Sequence, residues 1–381
     1  MKVYFDNAAT TPLDQAVIDE MMPFMVNHFG NPSSIHSHGR QVRVAIEKSR
    51  KRVAELLNTS PSEIFFTSGG TEADNTALIN ATEQYGVKNI ITSPLEHHAV
   101  LHTAEYLEKT GRVKLQLLDV DPLGNILLDQ LTALLTQEKN CLVSLMHANN
   151  EIGNLNDIHT IGEICREHDA IFHSDTVQSM AHFRHDLQNT KVDFVVGSAH
   201  KFHGPKGVGF LYINHEKKIA PYIHGGAQER NMRGGTENVY GIIGLAKALE
   251  LAYENMEAHQ KQIESVKSHM ITLLKDKIEG VAFNGGGADL NNSLYTVLNV
   301  SIPPSDANEM LLFNLDIEGV SVSGGSACSS GSNIGSHVLT AIGADPERGA
   351  IRFSFSRNST LEEAEYAVNK LSDILKREST I

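Results

Sequence analysis

The chain has 381 residues, 41% of them hydrophobic, with 46 acidic against 32 basic side chains and a formal net charge of -14. That length predicts about two domains, burying roughly three quarters of the unfolded surface. The acidic balance, with no basic run to offset it, disfavours strong contact with nucleic-acid backbone or an anionic membrane, and no segment is long and apolar enough to span a bilayer.

Of the three cysteines, Cys141 reads as a small core residue in a strand and Cys165 as one in a helix. They lie far apart and far from Cys328, without metal-type spacing. This is the usage of a reducing cytoplasmic compartment rather than of a disulfide framework. The N-terminal Met1-Lys-Val-Tyr-Phe-Asp6 carries no signal-like apolar core.

Short apolar runs alternate with helical patterns through the first two thirds of the chain. Glu63 to Thr67 reads as a strand, followed by Gly69-Gly70 and a helix from about Glu72. Val87 to Thr92 reads as a strand, His98 to Glu108 as a helix, and Val113 to Leu118 as a strand. Cys141 to His147 is a strand, Ile158 to His168 a helix, and Ala170 to Ser174, Val192 to Val196 and Val208 to Ile213 are strands. This alternation predicts an α/β fold with a mostly parallel sheet covered on both faces. Beyond about residue 240 the pattern changes. Ile263, Val266, Met270, Leu273 and Leu274 recur at helical spacing, and Ser293 to Val300, Val320 to Ser323 and Ala350 to Phe355 are short strands. A last helix opens with Thr360-x-x-Glu363, a capping-box signature, and is expected to bury Leu361, Ala364, Leu371 and Leu375. The division predicted is a large domain over 13–255 and a smaller α+β domain made of 1–12 and 256–381.

Ser198-Ala-His-Lys-Phe-His-Gly-Pro-Lys-Gly207 lies between two strand-like runs. Lys201, at the end of a buried strand, fits a Schiff-base lysine, because a desolvated amine loses its proton readily and condenses with an aldehyde. Asp175 also follows an apolar strand and can keep a pyridine nitrogen protonated; a plain helix cap is the equal alternative. Thr67-Ser-Gly-Gly-Thr-Glu72 passes from strand to helix, where glycine lets backbone amides approach an anion. Taken alone, it is equally ordinary turn chemistry. Glu96-His97-His98 follows a strand, so His97 can stack on a flat ring, although with 19 histidines in the chain a chance pair is unsurprising. No carboxylate or Cys completes a metal ligand set there, so no metal is expected. Arg352, embedded in an apolar strand, is either structurally paired or kept for a carboxylate. Cys328 stands in Gly324-Gly-Ser-Ala-Cys-Ser-Ser-Gly-Ser332, a small, polar, glycine-flanked context that suits a presented thiol better than a core residue.

In order, Tyr4-Phe-Asp-Asn-Ala-Ala-Thr-Thr-Pro12, Asn31-Pro-Ser-Ser34, Gly70-Thr-Glu-Ala-Asp-Asn75, Glu96-His97, Asn149-Asn-Glu-Ile-Gly153, Ser198-Ala-His-Lys201 and Gly325-Ser-Ala-Cys328 resemble the motifs of the cysteine desulfurases. These are pyridoxal-phosphate enzymes of the class V aminotransferase fold, fold type I, and the likeness spans essentially the whole chain. It implies a seven-stranded, mostly parallel sheet. It also implies that Lys201 forms the Schiff base, Asp175 pairs with the pyridine nitrogen, Gln178 meets the phenolic oxygen and His97 stacks on the ring. Gly70, Thr71, Ser198 and His200 would hold the phosphate, with Thr236 reaching it from the other subunit of a homodimer. Asn31, Asn150 and Arg352 would orient L-cysteine, and Cys328 would accept its sulfur. The Ser-Ala-Cys-Ser-Ser-Gly context resembles the first group of the family, whose sulfur acceptors are iron–sulfur scaffolds or tRNA thiolation enzymes.

Two positions depart from the pattern. Gly234 stands where Ala is expected, and Asn333-Ile-Gly-Ser-His337 lacks an acidic-Pro pair. The alternatives from the same residues are a selenocysteine lyase or aminotransferase, a metal hydrolase using the histidines, and a non-catalytic sulfur-relay scaffold in which only Cys328 matters.

Overall fold

The computed structural model describes residues 1–324 and 335–378. In chain order the strands are β1 (Val3–Tyr4), β2 (Ile64–Thr67), β3 (Asn89–Thr92), β4 (Lys114–Leu117), β5 (Cys141–Ser144), β6 (Ile171–Asp175), β7 (Phe194–Ser198), β8 (Gly209–Ile213), β9 (Ala282–Phe283), β10 (Val297–Ile302), β11 (Val320–Ser321) and β12 (Gly349–Ser354). Seven of them form one sheet in the order β2-β8-β7-β6-β5-β3-β4. All neighbours are parallel except β8, which runs antiparallel to both β2 and β7. The expected fold class and the seven-stranded sheet are therefore both present.

The central strands are buried along their whole length, as strands covered on both faces must be. This is why they read in sequence as continuous apolar runs. β7 begins two residues later than the apolar run suggests. Val192 instead donates back to the Thr190 carbonyl in a turn (2.9 Å) that leads into the strand.

The helices that position the site are α1 (Gln15–Val26), α2 (Ser37–Leu56), α3 (Gly70–Tyr85), α4 (His98–Lys109), α5 (Leu128–Gln137), α6 (Ile158–Glu167), α7 (Val239–Glu254) and α8 (Met256–Lys277). Glycine at α7 lets helices pack tightly: a Cβ at Gly244 would meet the Met21 sulfur at 2.5 Å. One apolar core joins α1, α2, α6 and α7 to one face of the large sheet, and a second joins α3 and α4 to the other.

A separate core collects Val3 and Phe5 with Ile263, Val266, Met270, Leu298, Phe353 and Leu371. It lies against a three-stranded antiparallel sheet, β12-β10-β9, and the parallel pair β1-β11. The C-terminal helix, α11 if α9 (Leu311–Ile317) and α10 (His337–Ala341) are counted, spans Leu361–Glu378. Its capping box is formed: Glu363 Oε2 accepts from Thr360 N (2.9 Å) and Thr360 Oγ1 from Glu363 N (3.2 Å). Ala364 and Leu371 are buried as expected, and Leu375 packs at the edge. Leu361, at the first helical position, faces outward at 41% exposure, so its expected burial is corrected.

Candidate active site

β6 and β7 are neighbouring parallel strands, so their carboxyl ends open on the same edge of the sheet. Asp175 ends β6, and Lys201 ends the single helical turn after β7. Both line a cavity of about 270 Å3, together with Gly70, Thr71, His97, Asn150, Gln178, Ser198, His200 and Arg352. Eleven of the thirteen residues expected in the site are Lys201, Asp175 and these, plus Cys328. All but Cys328 meet in this one cavity. Cys328 lies outside the described residues.

The two remaining residues stand elsewhere in the chain. Asn31 is exposed in the loop after α1, its side chain accepting from Ser33 N (2.9 Å). Thr236 is exposed on the wall of a different cavity of about 170 Å3 beside Arg233 and Glu229. That second segment is tied back to the first, because Arg233 pairs with Glu72 in the first turn of α3 (2.9 Å).

Lys201 Nζ donates to the carbonyls of Ala8 (2.6 Å) and Ala9 (2.9 Å), and Gln178 Nε2 donates to the same Ala8 carbonyl (3.0 Å). Asp175 is buried, its Oδ1 accepting from Val177 N (2.8 Å). Burial pushes its carboxyl up to about 6, opposed by that hydrogen bond and by the Lys201 charge. His97 caps α4, and its Nδ1 accepts from Ala99 N (3.1 Å), which leaves the proton on Nε2. Burial, and then Lys201, hold its pKa down at about 4, so the ring is neutral. His200 is likewise held at about 4 by burial and by Lys201.

α3 starts at Gly70 with no side chain capping its free N–H groups, which leaves them for an anion. Gly70 is needed there for space: a Cβ would meet Val177 Cγ2 at 2.9 Å. Arg352 is 1% exposed. One terminal nitrogen reaches Asp6 (2.9 Å), the other donates to the Asn150 carbonyl (3.0 Å), and Nε is buried without a hydrogen-bond partner. The structural pair and the carboxylate site were alternatives in sequence; Arg352 is paired and also lines the cavity.

The neighbouring Asn149 is structural. Its amide holds the Leu95 carbonyl (2.8 Å), and its Oδ1 accepts from Glu151 N and Ile152 N, closing the turn that presents Asn150.

Sequence reasoning missed two parts of the site. The Ala8 and Ala9 carbonyls act through backbone, for which side chains give no signal. Asp74 lines the cavity four residues into α3, 3.3 Å from His173 Nε2, whose Nδ1 meets Ser144 Oγ at 2.8 Å. It stands one turn after Gly70, so helical spacing from that glycine marks it. Burial and the neighbouring Asp175 and Glu96 raise the Asp74 carboxyl well above its usual range, while burial holds His173 at about 3. Burial thus keeps the His173 ring neutral and favours the protonated form of Asp74.

An amine, an ionisable carboxyl beyond it, a flat neutral ring and a bare helix N-terminus are the donor set that a pyridoxal phosphate needs, and the cavity has room between them. The class V aminotransferase family model matches residues 3–366. The chain is therefore a member of the class V aminotransferases, enzymes built on pyridoxal phosphate.

Within that class it belongs to the cysteine desulfurase family. It is 44% identical to the cysteine desulfurase IscS of Dictyoglomus turgidum, over all of this chain and 96% of the relative. It is 42% identical to cysteine desulfurase IscS of Clostridium botulinum, over 99% of this chain and 95% of the relative. Among solved structures, a NifS-like protein superposes with a TM-score of 0.91 at 38% identity, covering 99% of this chain and all of that one. SspA in complex with cysteine superposes at 0.82 and 32% identity, covering 94% of this chain and all of that one.

Proposed function

We propose that the chain is a pyridoxal-phosphate-dependent cysteine desulfurase that moves sulfur from L-cysteine onto Cys328 and releases L-alanine. The observation that carries this is the meeting of Lys201, Asp175, the uncapped start of α3 and Arg352 in one cavity. Bound pyridoxal phosphate supplies an electron sink that loosens the bonds at the substrate α-carbon.

Lys201 is the amine that anchors the cofactor and then carries the α-proton. Asp175 holds the proton of the pyridine nitrogen; a cation opposite it favours the ionised carboxylate that burial alone resists. Gln178, whose amide donates to the Ala8 carbonyl, would offer that amide to the phenolic oxygen of bound cofactor. Gly70, Thr71, Ser198 and His200 hold the phosphate, Gly70 and Thr71 by their backbone N–H groups. His97 packs its neutral ring against the cofactor face, adding no charge to compete with Lys201. Asn150 and Arg352 orient the substrate, with the guanidinium fixed by Asp6 before substrate arrives. The Cys328 thiolate then takes the substrate sulfur as a persulfide.

The active form is a homodimer in which Thr236 and Asn31 serve the partner's site. In support, Met25, Val26, Phe29 and Ile35 are exposed together on α1 and the following loop, Ile35 at 87%. The domain division at 255 is supported by the separate core of residues 3–5 and 263–374. The acceptor of the persulfide is an iron–sulfur scaffold or a tRNA thiolation enzyme in the cytoplasm. No helix among the described residues is long and apolar enough to cross a membrane.

Assay of sulfide and alanine from L-cysteine tests the reading. Cys328→Ala removes both products, and unchanged turnover refutes the role of Cys328. Lys201→Ala abolishes the visible absorbance of lysine-bound cofactor, and a variant that stays yellow with that band refutes the anchoring role.

A further inference from the structure

A second, smaller cavity of about 30 Å3 shares Ala8, Gln178 and Lys201 with the first. It has room for about two water molecules, since one needs roughly 10–15 Å3. His182, His203 and His259 lie on its wall, and no role assigned so far uses them.

The hydrogen bonds fix the tautomers of two of these rings. His203 Nδ1 is 2.9 Å from the Pro12 carbonyl, which can only accept, so Nδ1 bears the proton. Tyr295 spends its one hydroxyl proton on the His182 carbonyl (3.0 Å), so His182 Nδ1, 3.2 Å from that hydroxyl oxygen, must be the donor. Burial, together with neighbouring charge, holds His182 at about 3 and His203 at about 4. Each is thus a neutral ring with a proton-accepting Nε2.

The backbone of this wall is also unusual. Ala181 (φ 69) and His203 (φ 65) are both in the left-handed region, which a side chain disfavours, and both line the cavity. Strain of this kind persists where surrounding structure enforces it, and it concentrates at functional sites. His259, on the same wall, is only partly buried and lies near Arg357, which is paired with Asp14.

The reaction needs a proton in this region. In forming alanine, the carbon–sulfur bond of cysteine breaks, a sulfur–sulfur bond forms to Cys328, and a new C–H bond forms at the β-carbon. Substrate thiol plus Cys328 thiol become a methyl group plus a persulfide, so one thiol proton must end on carbon. The carbon is reduced and the Cys328 sulfur oxidised, with no outside reagent. The amine at hand is Lys201, which lines both cavities.

We propose that the small cavity holds a two-water chain joining the Lys201 amine to His182 and His203, and that this chain exchanges protons between the site and solvent. The histidines are positioning residues for the water and do not touch substrate. The water chain stands on the cavity itself; its use in turnover rests on the desulfurase reading.

A high-resolution crystal structure of the holoenzyme should show ordered water bonded to Lys201 Nζ and the imidazole Nε2 atoms, and a dry cavity overturns the proposal. Turnover of L-cysteine in D2O gives the second readout, the deuterium content of alanine against turnover time. His203→Phe and His182→Phe should slow deuterium delivery at least about tenfold, the low end of what a positioned proton donor contributes, and His203→Asn should restore it. Unchanged delivery in both Phe variants overturns the proposal. In the apoprotein, the pH profile of Lys201 acylation by a small reagent, read by mass spectrometry, should shift in the Phe variants, and an unshifted profile counts against it. If no alanine forms at all the desulfurase reading fails, while the water and acylation results still decide the proposal.

Discussion

Replacing Glu229 with Gln should destabilise the protein by about 3–5 kcal/mol, the usual cost of stripping one partner from a buried ion pair. Glu229 and Arg50 are each 2% exposed at the side chain. The carboxylate accepts from both terminal nitrogens of Arg50 (2.7 and 2.8 Å) and from Phe66 N (2.8 Å). A glutamine keeps one accepting oxygen and turns an NH2 toward a donor, leaving the Arg50 charge beside the Phe66 ring, 4.7 Å from its centroid, with only the half-exposed Glu47 carboxylate (3.2 Å from Nε) against it. Glu229, Arg230 and Asn231 are three consecutive residues with positive φ (44, 58 and 67), and the turn is held by this ion pair together with Arg230, which donates to the Pro61 carbonyl (2.9 Å) and pairs with Glu47 (3.1 Å). With a midpoint shift of about 1–2 °C per kcal/mol for a chain of this size, the thermal midpoint should fall by about 3–10 °C. The assay is a thermal melt of holoenzyme at fixed protein and cofactor concentration. The double substitution Arg50→Met with Glu229→Met should recover most of the loss, because an apolar pair leaves no stranded charge. A Glu229→Gln variant melting within a degree of the parent, or a double variant worse than the single, refutes the reasoning.

Three further outcomes follow from the buried charges. Asp74→Asn should perturb folding and cofactor binding less than Asp175→Asn, because burial and the neighbouring Asp175 and Glu96 favour the protonated form of the Asp74 carboxyl. Asp175→Asn should weaken pyridoxal phosphate binding about tenfold to a hundredfold by removing a charge-assisted hydrogen bond, as read by fluorescence titration of the apoprotein; equal effects of the two would contradict the assignment. Lys267 is fully buried, bonded to Ser293 Oγ and the Leu294 carbonyl (3.0 Å each), and burial lowers its amine to about 7. The unfolded chain then binds a proton that the folded chain refuses. Stability should therefore rise with pH from about 7 toward 10, by about 1.4 kcal/mol per unit at most, relative to a Lys267→Met variant; parallel stability curves for the two proteins would contradict this. Because His97 takes a proton only below about 4, cysteine turnover between pH 5.5 and 8 should show no step that His97→Gln removes.

The sheet was legible because its strands are buried on both faces and so appear as unbroken apolar runs between glycine turns. Lys201, Asp175 and Gly70 were legible for the related reason that each follows such a run at a carboxyl end. Neighbouring strands then bring together residues 26 positions apart in sequence, Asp175 and Lys201. The backbone carbonyls of Ala8 and Ala9 could not be read, since any residue carries them and only tertiary folding brings residue 8 to residue 201. The Asp74–His173 pair was hidden for a different reason: its partners sit on α3 and β6, with no common period linking them. Leu361 misled because helical spacing marks the apolar stripe but says nothing about a first residue that the core does not reach.

If Lys201 and Cys328 are two halves of one sulfur-transfer site, mass spectrometry of the Cys328 peptide after a single turnover with L-cysteine, in the absence of reductant, will register the transfer. A mass gain of one sulfur atom is expected on Cys328 in the parent protein and none in Lys201→Ala. Sulfur on Cys141 or Cys165 instead, or sulfur on Cys328 without Lys201, would contradict it.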